Sequence, residues 1–306
     1  MAQKLKPLNL NFHQIVPFFK TGEDVNQEKF KEISNAFKNL PPKCRPLIRA
    51  ESELEFYKDV RLDKATGLYL GTLMNTQTSG IAAKYKKSNQ TLSKLGLGDD
   101  EGLGHPVNFL FDPIVNVVMM ESVRGGTSVL GLCGLLGVNV NLPTIEPVIV
   151  INPAKMNEFF KMKSFLKFKV KIARVQNGNI FNQKRKKSIA QITQSADNTN
   201  TDTIEYALTV RKGSDSLSKS FIQHAVRDLL TFKDTGEVEV LEVAGKEEED
   251  GRMETINLIE HALKDTIKVQ KERLHGDFER DERFQLLIET YNKHKLLLRK
   301  VYSKHT

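Results

Sequence analysis

The chain has 306 residues, 39% of them hydrophobic, and 46 Lys and Arg against 38 Asp and Glu give it a formal charge of +8. That length suits about two domains, and the apolar fraction can supply a core, which excludes wholesale disorder. Two cysteines, Cys44 and Cys133, exclude a disulfide scaffold and a four-cysteine zinc site, and point to a reducing compartment.

In chain order, Phe12 to Phe19 reads as a strand, and Phe30, Ile33 and Phe37 recur at helical spacing within Asn26 to Leu40, where Pro41-Pro42 stops the helix. Leu68 to Met74 reads as a short strand. Lys84 to Gly104 is polar and glycine-rich and reads as a loop or short helix. Two apolar runs, Val107 to Phe111 and Ile114 to Met120, flank Asp112-Pro113 and predict a hairpin over Pro106 to Glu121. Thr127 or Ser128 would cap a short apolar helix ending near Gly137. Strands follow at Thr144 to Ile151 and Phe165 to Val175. In the second, Leu166, Phe168, Val170 and Ile172 alternate with Lys167, Lys169 and Lys171, so one face is buried and the other carries a lysine stripe.

Residues 176–203 are polar and rich in Asn and Gln and read as a basic loop or linker. Beyond it, Thr203 to Val210 is an alternating strand, Ser214 to Leu230 a helix and Gly236 to Val243 a strand. Ile256, Ile259, Leu263, Ile267 and Leu274, then Phe284, Leu287, Ile288, Tyr291 and Leu298, predict two helices broken at His275-Gly276-Asp277. The expected fold is α+β: a β-rich domain over 1–175, the linker, and a smaller α/β part over 204–306 that ends in a C-terminal helical hairpin.

The charge is concentrated. From Lys155 to Lys187 there are eleven basic residues and one acid, Glu158, so this segment carries +10 and the rest of the chain −2. A block of one sign points to a surface aimed at a polyanion. Exposed strand lysines also guard sheet edges against aggregation. The cluster Lys184-Arg185-Lys186-Lys187 and the neighbouring lysines tip the balance towards nucleic acid, with Lys163, Lys167, Lys169, Lys171, Arg174, Lys184, Arg185, Lys186 and Lys187 as the expected phosphate contacts.

Catalytic signatures are absent from the sequence. None of the seven histidines stands in His-Glu-x-x-His, and no Glu has Lys two residues later, the arrangement of a common metal-dependent nuclease. The glycines at 96, 98, 102 and 104 give neither phosphate-loop pattern, and Asp99-Asp100-Glu101 would repel phosphate. Arg124-Gly125-Gly126-Thr127 reads as a tight turn before a helix rather than an anion site. No cofactor and no metal are therefore expected. An enzyme with an unrecognised site, such as a nuclease or nucleotide-processing protein, and a protein-interaction scaffold with a basic face are the alternatives. The N-terminal residues lack the apolar stretch of a signal peptide, and Val129 to Leu142 is too short to cross a membrane, so a cytoplasmic protein without direct membrane insertion is expected. The apolar run Val129 to Val138 and the C-terminal hairpin are the expected contacts of a homodimer.

The stretch Leu103-Gly104-His105-Pro106-Val107-Asn108-Phe109-Leu110-Phe111 is followed by Val117 to Glu121, Gly126-Thr127-Ser128 with its apolar helix, Thr144-Ile145-Glu146-Pro147-Val148, and the strand from Phe165 to Val175. This order, over roughly residues 95–175, resembles the RexA family of phage lambda exclusion. The resemblance implies a cytoplasmic, DNA-binding, dimeric protein of phage defence or superinfection exclusion that works with a separate membrane-protein partner. It carries no catalytic motif, and this chain differs in its longer N-terminal region and in the Lys184–Lys187 cluster. The expected function is a non-enzymatic, sequence-tolerant DNA-binding protein.

Overall fold

The structure, a computed structural model, describes residues 5–17, 27–81, 83–88, 90–98, 101–142, 144–173, 203–211, 215–232, 238–248, 251–270 and 280–303. It is α+β, and its two compact units interleave along the chain. The first holds Met1–Asn11, Lys31–Ile145 and Lys264–Lys293; the second holds Phe12–Phe30, Glu146–Leu263 and His294–Thr306. Strand β1 (Leu5–Pro17) and the last helix, α5 (Arg280–Tyr302), therefore supply residues to both. A division at the 176–203 segment does not describe the fold, because strands before and after it share one sheet.

The sheet that the first unit is built on runs β10 (Ile145–Ile149), β1, β9 (Val117–Glu121), β8 (Leu103–Asp112), β5 (Leu68–Gln77), β3 (Ser52–Phe56) and β2 (Leu47–Ile48). β15 (Lys264–Gln270) pairs with Leu5–Asn11, and β4 (Arg61–Asp63) pairs with β5. The β8–β9 pair is the hairpin expected from the apolar runs, turned at Asn116 in the left-handed region (φ 52°). From Val107 to Asp112 every side chain is fully buried, so β8 is covered on both faces. On one face Phe109 and Phe111 meet Phe37, with ring centroids 5.5 and 4.6 Å apart. Gly71 lies opposite Phe109 in the register, and a Cβ there would collide with the Phe109 ring, so this position requires glycine.

The other face is polar and meets α5. Glu121 is fully buried. Arg283 donates to both its oxygens at 2.9 and 2.7 Å, and Asn108 donates from its backbone N–H (2.9 Å) and its side-chain amide (3.3 Å). Thr72 donates to Asn108 Oδ1 at 2.6 Å, Arg280 Nε donates to Thr72 at 3.2 Å, and Tyr291 donates to Asp112 at 2.9 Å. Burial pushes the Glu121 pKa up, and the Arg283 charge and the Asn108 donors oppose that shift. At the start of α5, Arg280 pairs with Asp59 and holds its carboxyl below the usual range, while the Arg61 and Arg280 guanidinium groups each lie 5.0 Å from the Phe284 ring.

The helix α2 (Val129–Asn139) is apolar on all sides because most of it is buried within this unit. Val129, Leu132, Cys133, Leu135 and Leu136 are covered, and a Cβ at Gly131 would come within 2.9 Å of Leu54 Cδ2 on β3. Only Leu130 and Val138 among its large side chains are exposed, so the run expected as a dimer contact is mostly consumed by the chain's own core.

The second unit carries the four-stranded antiparallel sheet β12 (Thr203–Thr209), β11 (Ser164–Ala173), β13 (Val238–Lys246), β14 (Glu254–Asn257). Helix α4 (Lys219–Phe232) covers it with Ile222, Ala225, Val226, Leu229 and Leu230, a stripe at helical spacing. Phe165, Phe168, Val170, Ile172, Leu241 and Val243 face this core, joined by Phe159 of α3 (Pro153–Lys161). Asn152 caps α3 by accepting from the Ala154 N–H, with Pro153 at its first position. The Tyr302 hydroxyl donates to the Ile151 carbonyl and accepts from the Ile151 N–H, both at 2.8 Å, and burial pushes its pKa up.

The C-terminal helical hairpin is not formed. Ile256 lies in β14, Ile259 lies in the turn that follows, Leu263 stands just before β15, and Ile267 lies in β15, where Ile267 and Val269 alternate with exposed Thr266 and Lys268; Leu274 lies outside the described residues. Only the second expected arm is helical, as α5. Three further differences remain: β1 begins at Leu5 rather than Phe12, the short strands β2 to β4 lie in a region to which no particular element is assigned above, and Lys84 to Gly104 contains β6 (Lys84–Lys86), β7 (Thr91–Ser93) and the first residues of β8. Helix α1 (Gln27–Ser34) is shorter than expected and continues as turns that still bury Phe37.

The buried Glu121–Arg283 pair sets a stability expectation. Replacing Arg283 with Met leaves the buried Glu121 carboxyl without its cation, and urea unfolding is expected to show a loss of about 3–5 kcal/mol. The double variant Glu121→Leu/Arg283→Met removes both charges and is expected to recover most of that loss. Equal stability of the parent and the single variant would show that the pair does not hold α5.

Candidate nucleic-acid interface

Strand β11 is a strand for the reason its sequence suggests: Phe168, Val170 and Ile172 alternate into the core. A bulge between Phe165 and Lys167 shifts the register against β13 and leaves Leu166 half-buried. Lys167, Lys169 and Lys171 do share the outer face. They do not stand there alone.

Each of the three is ion-paired with a glutamate from a neighbouring strand. Lys167 reaches Glu242 at 2.8 Å, Lys169 reaches Glu205 at 2.8 Å and Lys171 reaches Glu239 at 2.7 Å. The register explains the pairing. Lys169 stands opposite Glu242 and Lys171 stands opposite Glu205, so Lys167 and Lys169 each reach one step along the strand to a diagonal neighbour. Lys171 finds Glu239 where a second bulge displaces β13. The shifts agree with the geometry: the Glu239 carboxylate holds the Lys171 pKa up, and Lys169 holds Glu205 down. Three lysines therefore meet three glutamates on one face, spaced well inside a Debye length. A phosphate backbone approaching this face meets alternating charge rather than a cationic ladder. The stripe at Lys167, Lys169 and Lys171 is corrected to a neutral lysine–glutamate face.

The other expected contacts separate into two groups. Lys163 is exposed just after α3, its backbone N–H bonded to the Lys246 carbonyl, and Lys161 sits in the last turn of α3, where a cation suits the helix dipole. Neither has a carboxylate partner among the described residues. Arg174, Lys184, Arg185, Lys186 and Lys187 lie outside the described residues. The acidic partners were hidden from a linear reading because they stand far off in sequence: Lys167 and Glu242 are 75 residues apart.

Among the described residues no group of three or more His, Cys, Asp or Glu side chains is placed to hold a metal ion, and no helix is long and apolar enough to cross a membrane. The turn from Arg124 to Thr127 has Gly125 at φ 80°, packed on the His105 ring. Asn75 donates to the Gly125 carbonyl at 2.9 Å. Ser128 caps α2 without a side-chain bond.

Neutralising the six residues of the outer face together, with Lys167, Lys169, Lys171, Glu205, Glu239 and Glu242 all changed to Gln, keeps its net charge. If the chain binds DNA, the salt dependence of that binding is expected to stay unchanged. A slope smaller by about three units, the amount for three lost phosphate contacts, would return the strand lysines to the interface.

The chain belongs to a family of unknown function, DUF6731, whose model matches residues 3–299. No curated protein matches it.

Proposed function

We propose that the chain is a non-enzymatic, sequence-tolerant protein that binds duplex DNA through its phosphates. The observation that supports this is the uneven supply of carboxylates to the basic segment. Of its eleven cations, Lys155 is met by Glu158 and the three strand lysines by glutamates of β12 and β13. Lys161 and Lys163 have no carboxylate partner among the described residues, and the sequence from Ile172 to Ile192 contains no acid at all. Uncompensated cations bind a polyanion by displacing its condensed counterions. Most of these are lysines, point charges without the fork that reads guanine, so contacts position the duplex without selecting sequence. The resemblance to the RexA family supplies the setting: a cytoplasmic homodimer acting in phage exclusion beside a separate membrane-protein partner.

A second reading is a protein-interaction scaffold. The neutral lysine–glutamate face favours it, since alternating charge suits a protein partner better than DNA.

The decisive measurement is an electrophoretic shift of the purified protein on duplex DNA, with and without magnesium. A shift under both conditions, with intact DNA, is expected. Changing Lys184, Arg185, Lys186 and Lys187 to Gln is expected to weaken binding to all sequences alike and to shrink the log–log salt slope by up to about 3–4 units. No shift at low salt would overturn the DNA reading. Magnesium-dependent degradation abolished by changing one carboxylate would make the protein a nuclease.

A further inference from the structure

The segment read as a loop or short helix between β5 and β8 contains a two-stranded antiparallel ribbon, β6 with β7, that is a sheet by itself. Every residue of both strands is exposed. A lone hairpin of this kind is marginal in water. Its side chains are unusual for a solvated ribbon. Tyr85 stands directly opposite Leu92, and the two are 53% and 71% exposed, an aromatic–aliphatic pair of the sort that sheets ordinarily bury. Around them are Lys84, Lys86, Lys87 and Lys94, with no acidic residue between Thr78 and Gly98. None of the four has a carboxylate partner among the described residues. β11 presents the opposite case, where every outward lysine is met by a glutamate from the fold itself.

We propose that the β6–β7 ribbon is a DNA-contacting arm that enters a groove of the duplex, with Tyr85 and Leu92 against the groove floor and the four lysines on the phosphates of its walls. The charge selects the partner: four cations without a carboxylate suit a polyanion. The shape selects the duplex, because the major groove admits a two-stranded ribbon. Alternation along β6 puts Tyr85 on one face and Lys84 and Lys86 on the other, so the apolar pair points one way while the long lysine stems reach back to either wall. An apolar pair seated among base edges and sugars carries no strong base preference, which agrees with sequence-tolerant binding. The inference rests on the DNA reading above and adds a second contact region to it.

The test uses the full chain, a labelled random-sequence duplex and fluorescence anisotropy across a salt series. In one variant Lys84, Lys86, Lys87 and Lys94 become Gln; in a second, Tyr85 and Leu92 become Ser. The lysine variant is expected to bind more weakly, with the salt slope smaller by up to about 3–4 units. The Tyr85/Leu92 variant is expected to lose affinity several-fold at every salt concentration with its slope unchanged. Both are expected to unfold at the parent's denaturant midpoint, because the ribbon buries none of its side chains. Parent protein that binds while both variants keep its affinity and slope overturns the arm and leaves the DNA reading standing. Parent protein that binds no DNA overturns both. Binding to vesicles of anionic lipid that is lost in the variants, with DNA binding intact, would assign the ribbon to a membrane surface instead.

Discussion

The Glu121 carboxylate is shut away from water, and the first unit is organised around supplying it with donors. An ionised carboxylate in a core costs several kcal/mol unless its lone pairs are met. Arg283 meets it with two parallel bonds, and Asn108 with a backbone and a side-chain donor. Each donor is then fixed in its turn. Asn108 is oriented by Thr72, and Thr72 by Arg280 from the same end of α5. The helix is therefore located on the strands by direction-dependent bonds, where apolar packing alone would let it slide. Tyr291, about three turns beyond Arg280, repeats the principle with Asp112.

This also decides which parts of the chain a sequence reading could reach. The β8–β9 hairpin was legible because two apolar runs and an Asp-Pro turn state it locally. Helix α5 was legible as a helix from Phe284, Leu287 and Tyr291, yet those residues gave no hint that Arg283 shares their buried face. A hydrophobic pattern registers a buried arginine as a break in the stripe, and its carboxylate partner is 162 residues away. The segment from Ile256 to Ile267 shows the opposite failure. Spacings of three, four and four residues imitate a helix, but Ile267 and Val269 also keep the period of two that β15 uses. Seven residues of β15 lie along Leu5–Asn11, a pairing from one end of the chain to the other that no local period announces.

The lysine stripe of β11 was legible as a stripe and not as a charge. Alternation placed Lys167, Lys169 and Lys171 on one face correctly, since the pleat requires it. Whether that face is cationic depends on the strands on either side, and β12 and β13 each bring glutamates into reach. A sheet gains from such matching twice: like charges on adjacent positions are relieved, and the register is reinforced by diagonal pairs. The outer face thus has a structural reason for its lysines.

That reason sharpens the functional question, because it removes the charges a fold needs from those it leaves over. Lysines needed by the sheet are met by acids of the same sheet. Lys161 and Lys163 and the four lysines of the β6–β7 ribbon have no such match among the described residues, and the cluster Lys184–Lys187 lies outside them. Lys161 and Lys163 in one stretch of chain and the lysines of 84–94 in another therefore stand without a carboxylate partner among the described residues, although the sequence outside 155–187 is slightly negative. Non-specific solubility needs no such segregation, since scattered charge of either sign serves it equally. On the proposed DNA reading, each unmatched cluster adds counterion release of its own.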